Sequence, residues 1–404
     1  MYKVVAGDTF ELISRKVYGT ENYTGLLKKA NPGVQEPLII GTTITTPSLP
    51  TQTRLRNVAS TQFADEVVLY INGQRFRFWT QITLTRSYDS ISTIDFVSPW
   101  DGTAQDLRQA FKPFQYPQIR LEIGGELMFV GFAITPQPSL TADGKTITIS
   151  CYSKPGVLSD CTPTLAGDQL EFKEVGLPEI AASLCAPFSI PVQFSAGAGS
   201  SFEQVACNPE NKILSFLTTL AQQQNMVIGD TPEGRLEFKR FTAGPTVGAL
   251  RQGLSPLISA QPIFNAQQFY SHVTGIGLGD VGEDTTRYTL ANIGAPSFRP
   301  LTFTAQDVDA GELVDAVQAK VGRMYADAIV YSVEVATWRT QQGDLWEPGQ
   351  VVTLNAPDAF VYSDYDFMIK DVIMTRTDTS KTATLTLVLP QAYAGQIPER
   401  RPWD

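Results

Sequence analysis

Two stretches decide how this chain is built: FVGFAITPQPSLTADGKTITIS (residues 129–150) and FMIKDVIMTRTDTSKTATLTLV (residues 367–388). Laid on one another without a gap, Phe129 falls on Phe367, Ile134 on Val372, Thr146 on Thr384, Ile147 on Leu385, Thr148 on Thr386 and Ile149 on Leu387. Each reads as strand, turn and strand, with apolar side chains alternating against Thr and Ser at the period of two that turns one face inward. An offset held across a whole hairpin predicts a duplicated β unit within one chain.

Working outward from the first copy, residues 66–71 alternate and end at Asn72-Gly73, a strong hairpin signal. Residues 82–85 alternate as well, and residues 119–123 and 126–130 read as a hairpin over Gly124-Gly125. Between them the spacing predicts a helix from Thr103 that buries Leu107, Ala110 and Phe111, with Thr103 and Asp106 at capping spacing. Before the second copy, Leu313, Val314, Val317, Val321 and Met324 recur at the helical period. Ile329, Tyr331, Val333 and Val335 then alternate, and the turn 345–350 leads into residues 351–354. From 158 to 239 the period changes: Leu177, Ile180, Ala181 and Leu184 mark one helix, with Pro178 in its first turn, and Ile213, Phe216, Leu217 and Leu220 mark another.

The first fifty residues form a separate unit. Residues 2–5 are β-prone, and Gly7-Asp8-Thr9 breaks the strand. Asp8 is placed to cap the next helix, with Glu11 three residues on. Phe10, Ile13 and Val17 share a helical face. A second helix with Leu26, Leu27 and Ala30 stops at Asn31-Pro32-Gly33, and residues 40–44 return as a strand. This β-α-α-β unit resembles a LysM domain through Tyr2, Val4, Gly7, Asp8, Thr9, Ile13, Ser14, Tyr18, Gly19, Leu26, Asn31, Gly41, Ile44 and Pro47. The resemblance implies a shallow glycan or docking groove, with Gly7, Asp8, Thr9 and Phe10 on one side and Asn31, Pro32, Ile39 and Ile40 on the other.

The expected fold class is therefore α+β, mainly antiparallel β: two similar β-barrel domains with an inserted α/β domain, preceded by the small βααβ LysM-like domain. The expected boundaries are 1–50 for the LysM-like domain, 51–63 for a linker and 64–157 for the first barrel, completed by part of 235–285. Residues 158–234 are the inserted α/β domain and 235–300 connecting strands. Residues 301–327 are a helical segment, and 328–404 the second barrel with a C-terminal tail.

The 404 residues carry a net charge of −10, which disfavours sequence-specific nucleic-acid binding through phosphate neutralisation. No stretch is long and apolar enough to span a membrane, and the chain starts directly on a folded motif, so synthesis and folding in a cytoplasm are expected. Cys151, Cys161, Cys185 and Cys207 lack zinc-ligand spacing and read as free thiols. His272 is the single histidine, with no nucleophile elbow to serve. Gly277, Gly279 and Gly282 spell G-x-G-x-x-G, but the acidic run Glu283-Asp284 follows where a dinucleotide site needs a helix start. The pairs Asp65/Glu66, Asp307/Asp309 and Asp364/Asp366 read as turn acids rather than a glycosidic pair. No catalytic, cofactor or metal residue is assigned, and the chain is not expected to be an enzyme.

After residue 60 the chain resembles the baseplate hub proteins of contractile-tailed phages, of the Mu-like type. The resemblance is carried by the Asn72-Gly73 hairpin, the helix start Pro178-Glu179-Ile180-Ala181 and the helix 213–221 before Gly234-Arg235-Leu236. The run from Trp338 through Gly343-Asp344-Leu345-Trp346-Glu347-Pro348-Gly349 to Leu387-Val388-Leu389-Pro390 completes it. It implies a homotrimeric ring in the virion tail baseplate, assembled in the host cytoplasm, which adapts a sixfold tail tube to a threefold cell-puncturing spike. Implied partners are the spike, the tube or tube-initiator protein, wedge proteins and the tape-measure protein, with peptidoglycan disfavoured. Rival readings are a LysM-mediated cell-wall glycan-binding protein and the hub of a phage-derived injection system.

Overall fold

The computed structural model describes residues 2–18, 24–46, 65–142, 144–164, 170–195, 197, 199–278, 286–292, 294–306, 310–394 and 396–404. The expected linker 51–63 lies outside them, as do Gly279, Gly282, Asp307 and Asp309. The chain divides into two units, Met1–Thr61 and Gln62–Asp404.

The first unit has the βααβ order read from its sequence: β1 (Tyr2–Lys3), α1 (Phe10–Tyr18), α2 (Thr24–Ala30) and β2 (Thr43–Ile44), with β1 antiparallel to β2. Val4, Phe10, Ile13, Leu27 and Ile44 form its core. The cap differs from expectation. Thr9, not Asp8, stands immediately before α1, and its Oγ1 accepts the Leu12 N–H at 3.2 Å. Asp8 comes one residue too early and bonds elsewhere.

The second unit begins with β3 (Val67–Ile71), β4 (Gln74–Phe76), β5 (Gln81–Ser87), β6 (Thr93–Pro99), α3 (Gln105–Ala110), β7 (Gln118–Ile123), β8 (Glu126–Thr141) and β9 (Gly144–Ser153). Asn72 and Gly73, at φ 49° and 80°, make the β3–β4 turn by entering the left-handed region that suits these two residue types. The α3 helix departs from its sequence reading. It starts after Ala104 and buries none of its own residues, and Thr103 bonds Asp101 through both its N–H and its hydroxyl. Phe111, just past the helix, is buried edge-on to Phe76, while Leu107 and Ala110 are half-buried against the same core.

A small α/β region follows: β10 (Glu171–Gly176), α4 (Leu177–Cys185), β11 (Val192–Phe194), β12 (Ser201–Ala206), α5 (Ile213–Gln223), β13 (Val227–Asp230) and β14 (Leu236–Lys239). Its strands form two sheets, β10-β12 and β11-β14-β13, around a core of its own that includes Ile180, Leu217 and Phe238. Asp230 pins it to the β5–β6 turn, where its Oδ1 accepts both the N–H and the hydroxyl of Ser92 at 2.8 Å.

The chain then continues through β15 (Thr246–Arg251), β16 (Leu257–Phe264), β17 (His272–Leu278), β18 (Arg287–Ala291), β19 (Pro300–Gln306), α6 (Ala310–Ala328), β20 (Ile329–Val335), β21 (Val351–Ala356), β22 (Val361–Thr377), β23 (Lys381–Val388) and α7 (Gln391–Ala394). The segment 301–327, expected to be helical, opens as β19. That strand makes a separate sheet with β17 and β18, on which α6 packs so closely that a Cβ on Gly275 would lie 2.6 Å from Val317 Cγ2. Nor do the strands 246–264 complete the first barrel. Instead β15 pairs with β21 and β16 with β20, in the second half.

Thirteen strands form one continuous sheet in the order β16-β20-β23-β22-β5-β6-β9-β8-β7-β3-β4, with β21 on β22 and β15 on β21. The expected pair of closed barrels is not found: among the described residues this path is open at both ends. Its two halves nevertheless repeat. The neighbours β5-β6-β9-β8-β7-β3 recur as β16-β20-β23-β22-β21-β15, and both sets occur in the same order along the chain. The halves join where β5 pairs antiparallel with β22, from Ser87 opposite Asp371 to Gln81 opposite Thr377.

The equivalence is finer than strand order, and it corrects the gapless alignment. In β8–β9 a bulge falls between Ala133 and Thr135, with Thr135 opposite Ser150; in β22–β23 it falls between Ile369 and Asp371, with Asp371 opposite Thr386. Thr135 therefore corresponds to Asp371 and Ser150 to Thr386, two residues away from the sequence match of Ser150 with Val388. The next ladder agrees. Leu121 lies opposite Phe129 and Leu354 opposite Tyr365, and register breaks immediately beyond each pair. One difference remains: β3 is antiparallel to β7, whereas β15 is parallel to β21.

Candidate assembly surfaces

The groove residues of the first unit are mostly engaged in holding it together. The Asp8 carboxylate accepts from Lys16 Nζ at 2.7 Å and from the Val5 N–H at 2.9 Å, and the hydrogen bond from Lys16 holds its carboxyl below the usual carboxylate range. Asn31 is buried: its amide donates to the Leu27 and Thr45 carbonyls at 2.8 and 2.9 Å and accepts the Thr45 N–H at 2.8 Å. Phe10 lies in the core, with its N–H bonded to Glu36. Gly7 turns at φ 84°, and Thr9 caps α1. Of the apolar candidates, Ile39 and Ile40 stand in solvent at 76% and 67% exposure.

The remaining sequence candidates are likewise held in structural contacts. His272 Nδ1 lies 2.9 Å from Ser271 Oγ, and its ring rests against Phe298. Asp364 makes a two-pronged pair with Arg251 at 2.8 and 2.7 Å, and Asp366 accepts from Thr353 at 2.6 Å. Cys151, Cys185 and Cys207 are buried, and burial pushes the Cys185 thiol up to about 12. Among the described residues, no group of three or more His, Cys, Asp or Glu side chains could hold a metal.

Asp65 does something the sequence did not suggest: it clamps one half of the duplicated sheet to the other. Its Oδ1 accepts from Arg339 Nε at 2.8 Å and its Oδ2 pairs with Lys381, while Arg339 also reaches Glu126 at 3.4 Å. Burial opposes ionisation of Asp65, but Lys381 and Arg339 outweigh it and leave the carboxyl below the usual range. Arg339 is held by a loop in which Trp338 and Trp346, each 1% exposed, donate their indole N–H groups to Thr382 O and Thr337 O. Tryptophans at these positions were visible in the sequence, but the distant acid they orient Arg339 towards was not.

Two of the open strand edges among the described strands lie on β16 and on the distal part of β8. Of the strands, β16 pairs only with β20, and it exposes Ile258, Ile263 and Phe264. Phe264 stacks edge-on with Trp403 and Phe360 at 5.1 and 5.7 Å beside an apolar cavity of about 360 Å³. The second of these edges is the distal part of β8. Beyond Phe132 that strand pairs with β9 on one side only, and residues 135–141 are exposed except for the half-buried Pro136.

Comparison with known proteins gives this architecture a context. Baseplate hub protein gp44 of Escherichia phage Mu is 22% identical over 342 residues, covering 81% of this chain and 88% of that protein. A 43 kDa tail protein of prophage MuSo2 from Shewanella oneidensis has the same fold, with a TM-score of 0.69 and 22% identity over 81% of this chain and 99% of its own. A tail protein from Neisseria meningitidis MC58 also scores 0.69, at 17% identity over 81% of this chain and 98% of its own. Residues 155–240, the small α/β region between the two sheet halves, match the family described as baseplate hub protein gp44-like, second domain.

Proposed function

We propose that this protein is a structural subunit of a phage tail baseplate hub, located in the virion tail. Three copies close into a ring whose six near-equivalent sheet halves face a sixfold tube on one side and a threefold spike on the other. The observation that carries this reading is the repeated strand order, since an internal duplication gives a threefold ring a nearly sixfold face. The similarity to phage tail and hub proteins supports the setting. In this role the chain works through shape and interfaces and performs no catalysis. Its partners are copies of itself, the spike, the tube or its initiator, the wedge proteins and the tape-measure protein.

The N-terminal βααβ unit serves as a LysM-like docking module for a wedge or tube neighbour. A peptidoglycan role gains little from its structure, because Asp8, Phe10 and Asn31 are engaged in internal bonds or buried in the core.

The test is the symmetry of the particle. Full-length protein, alone and co-expressed with its spike, is expected to sediment as a trimer and to give image averages with three copies and six similar lobes. A persistent monomer, or a ring without paired lobes, would overturn the reading. Retention on peptidoglycan that disappears when residues 1–50 are removed would instead favour the glycan-binding rival.

A further inference from the structure

We infer that copies of this chain join by setting the open edge of β16 against the distal, proline-bearing stretch of β8 of the next copy. This inference rests on the ring reading above and adds to it the seam. The template is inside the chain. The β5–β22 junction already joins a first half to a second half, with Ser87 opposite Asp371 and Leu84 opposite Met374. The repeat carries β22 residue Asp371 onto Thr135 of β8, by their matching bulges. It also carries β6 onto β20, Ile94 onto Tyr331, and so β5 onto β16: Leu84 faces Ile94 as Pro262 faces Tyr331. Repeating the internal junction once more places Thr135 opposite Asn265, Gln137 opposite Ile263, Ser139 opposite Gln261 and Leu140 opposite Ala260 of a second copy.

Three observations that were not used to set this register agree with it. First, the surfaces it would cover are bare. Residues 371–377 of β22 are buried or half-buried beneath β5, whereas residues 135–141 of β8 are exposed but for Pro136, with Leu140 at 77%. Second, the chemistry of the two faces matches. Opposed residues in an antiparallel pair share a face, so Pro136, Pro138 and Leu140 meet Phe264, Pro262 and Ala260 on one side. Thr135, Gln137, Ser139 and Thr141 meet Asn265, Ile263, Gln261 and Ser259 on the other, a face that is polar except for Ile263. The apolar side corresponds to the buried Val372 and Met374 of the internal junction, and its polar side to Thr83 and Thr375, whose hydroxyls lie 3.5 Å apart.

Third, the prolines stand where a bare edge needs them. Trp100 N donates to Lys145 O and Ser153 N to Ser92 O, so the odd-numbered residues of β9 bond β6 and the even-numbered ones bond β8. In β8 residues 135, 137, 139 and 141 therefore point their N–H groups at β9, and residues 136, 138 and 140 point outward. Pro136 and Pro138 remove two of these three outward donors. On β16, Asn265 N donates to Ala328 O, which by the same alternation leaves Phe264, Pro262 and Ala260 facing outward, and Pro262 has no N–H to offer. Proline on an exposed edge discourages indiscriminate strand pairing. The seam thus depends on complementary side chains more than on a full ladder, and it selects the correct copy and register.

Gln137 and Ile263 form one of the non-hydrogen-bonded pairs of this seam, where cysteines come close enough to bridge. The test is oxidation of full-length Gln137→Cys/Ile263→Cys protein, run on non-reducing gels beside each single variant and beside a Ser139→Cys/Ile263→Cys pair that is out of register. The expected result is a dithiothreitol-sensitive ladder that stops at the trimer, at least tenfold stronger than in any control. Trimers in sedimentation without this bridge would overturn the seam and leave the ring reading standing. A monomer at every concentration, with or without spike, would overturn both. A ladder running beyond the trimer would confirm the seam and overturn threefold closure.

Discussion

The two halves of the large sheet share strand order down to the placement of a bulge, yet they fill one equivalent core position differently. Phe367, fully buried, stacks against Tyr331 and Tyr365 at 4.9 and 5.1 Å in the second half. Its equivalent in the first half is Gly131, where an added Cβ would lie 2.0 Å from Tyr152 O and 2.7 Å from the Phe129 ring. The second half fills this position with an aromatic ring, and the first leaves a glycine over which the β9 backbone and the Phe129 ring, two residues earlier on the same strand, close. A duplicated fold therefore conserves hydrogen-bond register more faithfully than it conserves which residue fills a given space.

The largest expected effect tests that contrast directly. Phe367→Ala should cost about 4 kcal/mol, the usual size for emptying a fully buried aromatic site, and lower the thermal unfolding midpoint of the large unit. Gly131→Ala should cost about 3 kcal/mol, through overpacking rather than a cavity. The two are distinguishable, because a small apolar ligand should partly rescue the first and not the second. If Gly131→Ala unfolds like the parent chain, the halves are not packed in the different ways described.

Much of this was legible in the residues, and the part that was not has a definable cause. Alternation at period two identifies which side chains of residues 146–149 and 384–387 face inward, and it led to the duplication. A slip of two residues keeps every side chain on its own face, so the pattern could not distinguish the register that aligns Phe129 with Phe367 from the true one that aligns Gly131 with it. The same blindness to pairing partners assigned β15 and β16 to the wrong half. Long-range charge pairs carry no local signal, and so the Asp65 clamp was missed. In the first unit the residues expected to line a groove are mostly caps, turns and core, as the bonds of Asp8 and Asn31 and the burial of Phe10 show.

The clamp gives the next prediction, since Asp65 of the first half pairs with Arg339 and Lys381 of the second. Asp65→Asn should cost about 2 kcal/mol by leaving Arg339 and Lys381 half-buried with a neutral partner. The sign of the pH dependence follows from the lowered carboxyl. Its contribution is complete above the unfolded value near 3.8 and is lost as pH falls through the lower folded value. Acid unfolding below about pH 4 should accordingly be shallower in Asp65→Asn than in the parent, as followed by circular dichroism. Equal acid profiles would mean that the Asp65 pairs contribute nothing to holding the halves together.

The smallest effect on the folded chain is expected at the prolines, and there the comparison is sharpest. Val372 and Met374 occupy in the second half the positions that Pro136 and Pro138 occupy in the first, and they point their N–H groups at β5. Replacing both prolines with valine should change monomer stability by no more than about 0.5 kcal/mol, because the side chains are half-buried or exposed and no existing bond is lost. It should nevertheless make the first-half edge resemble the covered one. Two outward donors per copy become available to the carbonyls of β16, each contributing about 1 kcal/mol to a seam. Ring dissociation measured by dilution should then slow by about tenfold or more. The same donors would also serve any other strand, so off-register oligomers should appear on sizing columns where the parent shows none. Tighter rings together with lost fidelity would mean that the two halves differ here because one edge is closed within the chain and the other has to wait for a neighbour.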